Sequence, residues 1–345
     1  MVTRSLTKAV YTATVLLMYF HVSAQNLFVA DYNGFKGVYQ IKADGTQSNF
    51  ISGLNTPSSL AFDKVGNLYV ADAGSSTIIK ITPAGVTNTV ASGLNFPYGL
   101  AFDQAGNLFE SDYGSSWIYE FTNHNGTVTS NLNVFASIGL NGPVGLAFNS
   151  ASNLFEADFK SGKIYEFTNR NGILVSNLNV FVSGVTNPSG LAFNSSNILF
   201  VANDTGVGSI TRVMPNGTTN NFASGLAQPF GLAFNNAGNL FVANQNQQNI
   251  IQITPDGTQT IYFSGPSTNY PSGIAFAPTA QLHAAIVNKS IRLTVACPSP
   301  YFSAIVESST NLMKWTSIYT NMAPFTFTDT ITAAPYRFYR SVLAP

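Results

Sequence analysis

Cysteine, histidine and charged residues are all scarce in this chain of 345 residues. The single cysteine, Cys297, excludes an internal disulfide framework and a cysteine-based zinc site. The three histidines, His21, His124 and His283, are too few for a histidine-rich metal site and lie in no Ser-His-Asp triad motif. Only 9% of the residues are charged, with 15 basic and 15 acidic side chains. Because no basic excess exists, we predict no nucleic-acid partner.

Apolar and turn-forming residues are abundant instead. Hydrophobic residues make up 45% of the chain, which excludes a disordered protein solvated by its own charge. The chain also contains 28 glycines and 36 asparagines. This composition favours many short strands that are joined by tight turns.

Residues 1–24 have the pattern of a secretory signal peptide. Arg4 and Lys8 precede an apolar segment over residues 9–20, which is short for a helix that crosses a bilayer. The Val-Ser-Ala sequence ending at Ala24 supplies small residues for cleavage. We therefore predict a secreted, periplasmic or cell-surface protein with no membrane span in the mature chain. An uncleaved N-terminal anchor is the alternative.

One phrase recurs through the first three-quarters of the chain: Gly-Leu, a short gap, Pro, a small residue, then Leu-Ala-Phe. Successive copies are 40, 46, 45, 41 and 40 residues apart, and they begin at Gly53, Gly93, Gly139, Gly184, Gly225 and, in degraded form, Gly265. A second phrase of the type Asn-Leu-Phe-Val-Ala-Asp follows the first five copies and also opens the mature chain. Each unit divides into four short strands, here named a to d, and this period is typical of propeller blades.

The ends of the repeat array predict how the ring closes. The mature chain starts with strand b of a blade, and the array finishes with a strand a over residues 271–277. Pairing the last strand a with the first strands b, c and d completes a sixth blade and removes the free sheet edges. We therefore predict an all-β protein whose residues 25–280 form a six-bladed β-propeller.

The sequence from Gly93 to Asp112 resembles the NHL-type repeat of six-bladed propellers, and the resemblance covers residues 26–277. That family contains lyases, lactonases, sensor domains and binding modules, so the resemblance implies a fold more than a function. Gluconolactonase-like propellers bind a divalent cation through Glu, Asn and Asp, and Asn203-Asp204 resembles part of such a site. No glutamate occurs before Glu110, however, so the early metal-binding Glu of those enzymes has no counterpart.

Residues 281–345 break the repeat and have a different charge balance. They contain 5 basic and 2 acidic residues, against 8 and 13 in residues 25–277. Short apolar segments predict a small β-sandwich-like domain with Trp315 in its core. Its predicted strands cover residues 291–296, 304–309, 316–319, 325–328 and 336–342. The segment 307–315, with 325–329 after it, resembles small C-terminal β-modules of exported bacterial proteins.

The loops that join strand d to the next strand a, and strand b to strand c, share one face of a propeller. Ligand sites of such rings lie at the mouth of the central channel on this face. The predicted ligand-binding residues there are aromatic and suit stacking on sugar rings or gripping a peptide: Tyr32, Phe96, Tyr98, Tyr113, Phe159, Phe230 and Tyr270. The alternative is that several of these rings only fill gaps between blades.

Carboxylates mark the same face. Every strand b ends in Asp or Asn, which caps its own turn or contributes to a ring of oxygens around calcium. Blades 3 and 4 add Glu110 and Glu156 where other blades have valine, so Glu110 with Asp112, and Glu156 with Asp158, form two candidate metal-binding pairs. We expect these glutamates to be solvated or neutralised by Lys160 or Lys163.

The predicted function is non-catalytic binding of a glycan or of another exported protein. Calcium is the only cofactor that the residue pattern suggests. The first alternative is a divalent-cation-dependent hydrolase or lyase of the gluconolactonase-like type, which would use the two Glu/Asp pairs. The second is a purely structural envelope protein.

Overall fold

The computed structural model describes residues 25–42, 44–265 and 269–278, and the backbone of six further strands between residues 281 and 343. Gln25–Ala277 form one compact unit, and the later strands belong to a second unit. Within the described residues, none of the helices is long and apolar enough to cross a membrane. The predicted signal peptide, Cys297 and Trp315 lie outside the described residues.

The first unit consists of six four-stranded antiparallel sheets. The chain enters with three strands of blade 1: β1 (Leu27–Asp31), β2 (Gly37–Ile41) and β3 (Gln47–Ser52). Blade 2 contains β4 (Pro57–Phe62), β5 (Leu68–Asp72), a 3-10 turn (Ala73–Ser75), β6 (Thr77–Ile81) and β7 (Thr87–Ser92).

Blades 3 and 4 each contain an additional short hairpin between strands c and d, made of two strands of two residues each. This hairpin accounts for their longer repeat. Blade 3 contains β8 (Pro97–Phe102), β9 (Leu108–Asp112), β10 (Trp117–Phe121), the hairpin strands β11 (Asn123–His124) and β12 (Thr127–Val128), and β13 (Asn133–Ala136). Blade 4 contains β14 (Pro143–Phe148), β15 (Leu154–Asp158), β16 (Lys163–Phe167), the hairpin strands β17 (Asn169–Arg170) and β18 (Ile173–Leu174), and β19 (Asn179–Ser183).

Blades 5 and 6 return to the shorter repeat. Blade 5 contains β20 (Pro188–Phe193), β21 (Leu199–Asn203), β22 (Gly208–Val213) and β23 (Thr219–Leu226). Blade 6 contains β24 (Pro229–Phe234), β25 (Leu240–Asn244), a 3-10 turn (Gln245–Gln247), β26 (Asn249–Ile253) and β27 (Gln259–Ser264).

The ring closes as the sequence predicts. The last propeller strand, β28 (Pro271–Phe276), pairs with β1, so that Leu27 lies opposite Phe276 and Val29 opposite Ile274. The sheet order of blade 1 is therefore β28-β1-β2-β3. This pairing confirms the six-bladed β-propeller and explains why the repeat begins at strand b.

The glycine of the Gly-Leu-Ala-Phe phrase lets neighbouring blades approach closely around the channel. A Cβ placed on Gly145 would lie 2.0 Å from the carbonyl oxygen of Ser189, and one on Gly190 would lie 1.9 Å from that of Phe230. Real Cβ atoms do not come this close to a carbonyl, so glycine is required where adjacent inner strands meet.

The hydrophobic core consists of six clusters, each between two adjacent blades. In five blades an aromatic residue of strand b contacts one ring of its own strand d and one ring of the next blade's strand a, whereas in blade 2 Tyr69 makes a ring contact, among the described residues, only with Phe102 of the next blade. In blade 3, for example, Phe109 meets Phe135 at 5.3 Å and Phe148 at 5.4 Å between centroids, both edge to face. Such pairs add about 0.5–1.5 kcal/mol each beyond buried area, so they join the blades in a repeated way.

The second unit contains two three-stranded antiparallel sheets. One has the order β29-β30-β33 and the other β32-β31-β34. Their strands are β29 (Gln281–Val287), β30 (Ser290–Ala296), β31 (Ser303–Ser309), β32 (Thr316–Met322), β33 (Phe325–Thr330) and β34 (Phe338–Leu343). The sequence analysis places strands in five of these segments and misses β29.

Candidate ligand site at the channel mouth

The carboxylates that end strand b in blades 1 to 4 accept hydrogen bonds from the loop that precedes the strand pair. The Asp112 side chain accepts hydrogen bonds from the backbone N–H of Asn95, at 2.6 Å, and of Ser115, at 2.9 Å. Asp158 accepts from Asn141 at 2.5 Å and from Ser161 at 3.1 Å in the same way. Both oxygens of each carboxylate are therefore engaged in holding the b–c loop against the preceding d–a loop.

Glu110 and Glu156 lie deep between blades, each with 0% of its surface exposed. Glu110 is flanked in its sheet by Leu100 and Tyr119. Within the described residues none of the four glutamate oxygens has a partner in full hydrogen-bonding geometry, although the backbone N–H of Tyr98 lies near Glu110. Burial raises the pKa of both carboxyls well above the ordinary value, and the charge of the aspartate two residues on raises it further. For Glu110 the backbone amide of Tyr98 opposes this rise. The environment thus favours the protonated, uncharged form.

The expectation that these glutamates are solvated or paired with lysine is wrong. The ammonium nitrogen of Lys160 lies 4.4 Å from the ring centroid of Tyr113, and that of Lys163 lies 5.7 Å from the ring centroid of Tyr165. Within the part of the chain that the structure describes, no three His, Cys, Asp or Glu side chains are grouped to hold a metal ion. Calcium binding by Glu110, Asp112, Glu156 and Asp158 stays a prediction.

A β-bulge interrupts each inner strand at the same position, and the residue that it carries differs between blades. In β8 the register passes from Pro97 opposite Asp112 to Gly99 opposite Ser111, so Tyr98 has no partner in the ladder. A bulge re-aims the side chain that it carries. Blades 1, 2 and 5 have a buried serine at this position, whereas blade 3 has Tyr98 and blade 6 has Phe230.

Aromatic rings from opposite blades meet at the mouth of the channel. The ring of Tyr98 lies 5.8 Å from that of Phe230 and 5.4 Å from that of Tyr113. Blades 3 and 6 are three places apart in a ring of six, so the contact between Tyr98 and Phe230 crosses the channel. A cavity of about 90 Å³ is lined by these two rings and by the inner strands of the blades.

Two further side chains, Tyr32 and Asp204, lie close enough to Tyr98 to affect its pKa. Burial raises the pKa of the Tyr98 phenol, and the neighbouring Tyr32, Tyr113 and Asp204 raise it further. Asp204 directly follows β21, just as Tyr32 follows β1 and Tyr113 follows β9. Four of the seven predicted aromatic residues, Tyr32, Tyr98, Tyr113 and Phe230, thus gather with Asp204, and we call this group the mouth cluster.

The other three predicted aromatic residues surround this cluster. Phe96 is 49% exposed on the d–a loop of blade 3, and Phe159 is half-buried after β15. Tyr270 is joined to the cluster through its backbone, because the Tyr32 N–H donates to the Tyr270 carbonyl at 2.9 Å. None of these three rings makes a ring–ring contact within the described residues.

Asp204 is not among the predicted ligand-binding residues, and the sequence analysis indicates it only through the resemblance of Asn203-Asp204 to part of a gluconolactonase-like cation site. One of its carboxylate oxygens, Oδ1, is buried without a hydrogen-bond partner, and burial raises the pKa of the carboxyl to about 6. The signal was present in the repeat. Blade 5 has a charged residue after strand b, where the other blades have Tyr, Ala, Tyr, Phe and Gln.

Comparison with known protein families finds no match, and comparison with curated protein sequences finds none either. Solved structures share the fold. A chain from the nidogen/laminin complex is 20% identical with a TM-score of 0.63, over 73% of this chain and 98% of that one. A gluconolactonase from Xanthomonas campestris is 16% identical with a TM-score of 0.56, over 80% and 94%. A catalytically inactive variant of virginiamycin B lyase from Staphylococcus aureus, in a structure with quinupristin, is 14% identical with a TM-score of 0.55. The match covers 81% of this chain and 94% of that one.

Proposed function

We propose that this protein is an exported, non-catalytic binding propeller that holds a glycan or another exported protein at the mouth cluster. The observation that carries the proposal is the group of half-buried rings around Tyr98, whose contacts with Tyr113 and Phe230 join opposite sides of the channel. Tyrosine combines a large apolar face with a hydroxyl that hydrogen-bonds. Such rings suit a sugar face or an extended peptide equally well.

Two further observations support binding over hydrolysis. The glutamates that the hydrolase or lyase alternative would use are completely buried between blades, where a substrate has no access. The similarity to a chain from the nidogen/laminin complex supports a protein partner by analogy of fold. The gluconolactonase and the lyase share the fold at lower similarity.

The test measures binding of the purified protein to a panel of neutral oligosaccharides and to the exported proteins of its source. We expect Tyr98→Ala and Phe230→Ala each to weaken binding about tenfold or more, because stacked aromatic residues at a binding site contribute most of its affinity. Trp117→Ala is the matched control, since this ring is 37% exposed on β10 and lies outside the mouth cluster.

The same variants decide between the alternatives. Full binding by both mouth variants, with unchanged thermal unfolding, would refute the proposal. Turnover of a lactone or ester that disappears in Glu110→Gln and Glu156→Gln would favour the enzyme instead.

A further inference from the structure

The mouth cluster contains an acceptor that the protein itself does not satisfy. Among the described residues, Oδ1 of Asp204 is buried and has no hydrogen-bond partner, although the Asp204 charge acts on the nearby Tyr98 phenol. A buried acceptor without a partner destabilises the site, and more so when it is charged. A ligand that brings a donor with positive charge would remove this destabilisation.

The aromatic part of the cluster already holds a cation. The Lys160 ammonium lies over the face of Tyr113 at 4.4 Å, within the range of a cation–π contact. The two side chains pack together over Gly142, where an added Cβ would lie 3.0 Å from the Tyr113 ring and 3.2 Å from the Lys160 stem. The contact shows that an ammonium group can lie on an aromatic face of the mouth cluster.

The net negative charge of the propeller also favours a cationic ligand. Residues 25–277 contain 13 acidic and 8 basic side chains. An acidic excess attracts cations to a concave mouth and raises their local concentration. A carboxylate among several aromatic rings is also the usual chemistry by which proteins recognise organic ammonium groups.

We propose that the mouth cluster recognises an organic cation, an alkylammonium or guanidinium group, held by the Asp204 carboxylate and the faces of Tyr98, Tyr32 and Phe230. The inference rests on the proposed binding function and names the group that the site grips. The cation comes either from a small amine or from a lysine or arginine side chain of a protein partner.

Calorimetric titration of the full chain with three probes tests the inference. The probes are methylammonium, N-acetyl-lysine methylamide, and the neutral N-acetyl-norleucine methylamide. We expect both cations to bind at least about tenfold more tightly than the neutral probe, because the norleucine side chain makes neither a cation–π contact nor an ion pair. Equal binding of the two cations indicates a small amine, whereas much tighter binding of the lysine derivative indicates a side chain of a partner.

Two variants localise the effect. Asp204→Asn keeps the size of the side chain and removes its charge, and we expect it to weaken cation binding about tenfold. Asp256→Asn is the matched control, because it removes the same charge from an exposed c–d turn on the opposite face. Its binding should equal that of the wild type.

The pH dependence supplies a second readout. The pKa of Asp204 is about 6, so the carboxylate forms as pH rises from 5 to 7, and cation binding should tighten over that interval. The other ionisable groups on this face include the Tyr32, Tyr98 and Tyr113 phenols and the Lys160 ammonium, and the Asp112 and Asp158 carboxylates already accept hydrogen bonds from backbone N–H groups. Asp204→Asn should therefore bind with no dependence on pH.

Different results would refute the recognition of a cation and the proposed binding function. Equal affinity for the cationic and neutral probes, or full cation binding by Asp204→Asn, would overturn the inference. If Tyr98→Ala still weakens binding of an oligosaccharide in that case, the binding function stands. Calcium that binds through Asp204 while both organic cations do not would also overturn the inference.

Discussion

Blades 3 and 4 differ from the other four at one position of strand b. Glu110 and Glu156 occupy the place that valine takes in blades 1, 2, 5 and 6, and all six side chains are completely buried. The strands around them keep the same register, as Leu100 opposite Glu110 and Leu60 opposite Val70 show. The comparison teaches that the packed blades determine burial, whereas the ionisation of the carboxyl adapts to it.

The largest effect is expected when glutamate replaces the equivalent valine of another blade. Val242→Glu puts a carboxyl against Leu232 and Ile251 in the interface between blades 5 and 6. We expect the free energy of unfolding at pH 7 to fall by about 3 kcal/mol, because the charge must be desolvated or neutralised. Urea unfolding followed by circular dichroism measures the change. Gln252→Glu, a partly exposed position of the same blade, should change stability by less than about 0.5 kcal/mol.

Replacing both glutamates with valine gives all six blades the same residue at this position of strand b. In the wild type, the folded-state pKa of Glu110 and Glu156 lies above the unfolded-state value. The folded state therefore binds more protons, so stability falls as pH rises above the ordinary carboxyl pKa, by up to about 1.4 kcal/mol per pH unit for each group. We expect Glu110→Val with Glu156→Val to remove this decline and to raise the midpoint of thermal unfolding at pH 8.

A wild-type midpoint that rises between pH 5 and pH 8 by as much as that of the double variant would contradict the interpretation. It would mean that the two glutamates are charged in the folded state.

The smallest effect is expected from a neutral replacement of similar shape. Glu110→Gln resembles the protonated acid, so we expect a stability within about 1 kcal/mol of the wild type at pH 5. At pH 8 the variant should be the more stable of the two, since it has no proton to lose. Thermal unfolding at both pH values measures the difference, and a variant that is less stable at pH 8 would show that the carboxylate has an ionic partner.

The repeat carried most of the information about the fold. Its period predicted four short strands per blade, and its ends predicted the pairing of β28 with β1. Both follow from local patterns, because a strand that buries one face must repeat its apolar residues at fixed spacing. Beyond the last repeat no period marks the strands, so each is predicted from its own residues alone, and β29 is the one that this reasoning misses.

The candidate site was harder to predict. Strand alternation predicts that Glu110 and Asp112 lie on the same side of their strand. It does not predict whether that side of the strand is solvated or buried. Tyr98 lies in a β-bulge, where alternation does not apply. Asp204 stood out only through the resemblance of Asn203-Asp204 to part of a cation site and by comparison with the equivalent position of the other blades.

The sequence by itself determined the number of blades, the closure of the ring and the aromatic and acidic character of one face, because these depend on spacing and composition. Only the tertiary structure decided that Tyr98 meets Phe230 across the channel and that Glu110 and Glu156 are dry. These contacts join residues from different blades, far apart in the chain. They depend on how closely the inner strands pack, and this approach requires glycine at positions such as Gly145 and Gly190, where a Cβ would clash with a neighbouring carbonyl.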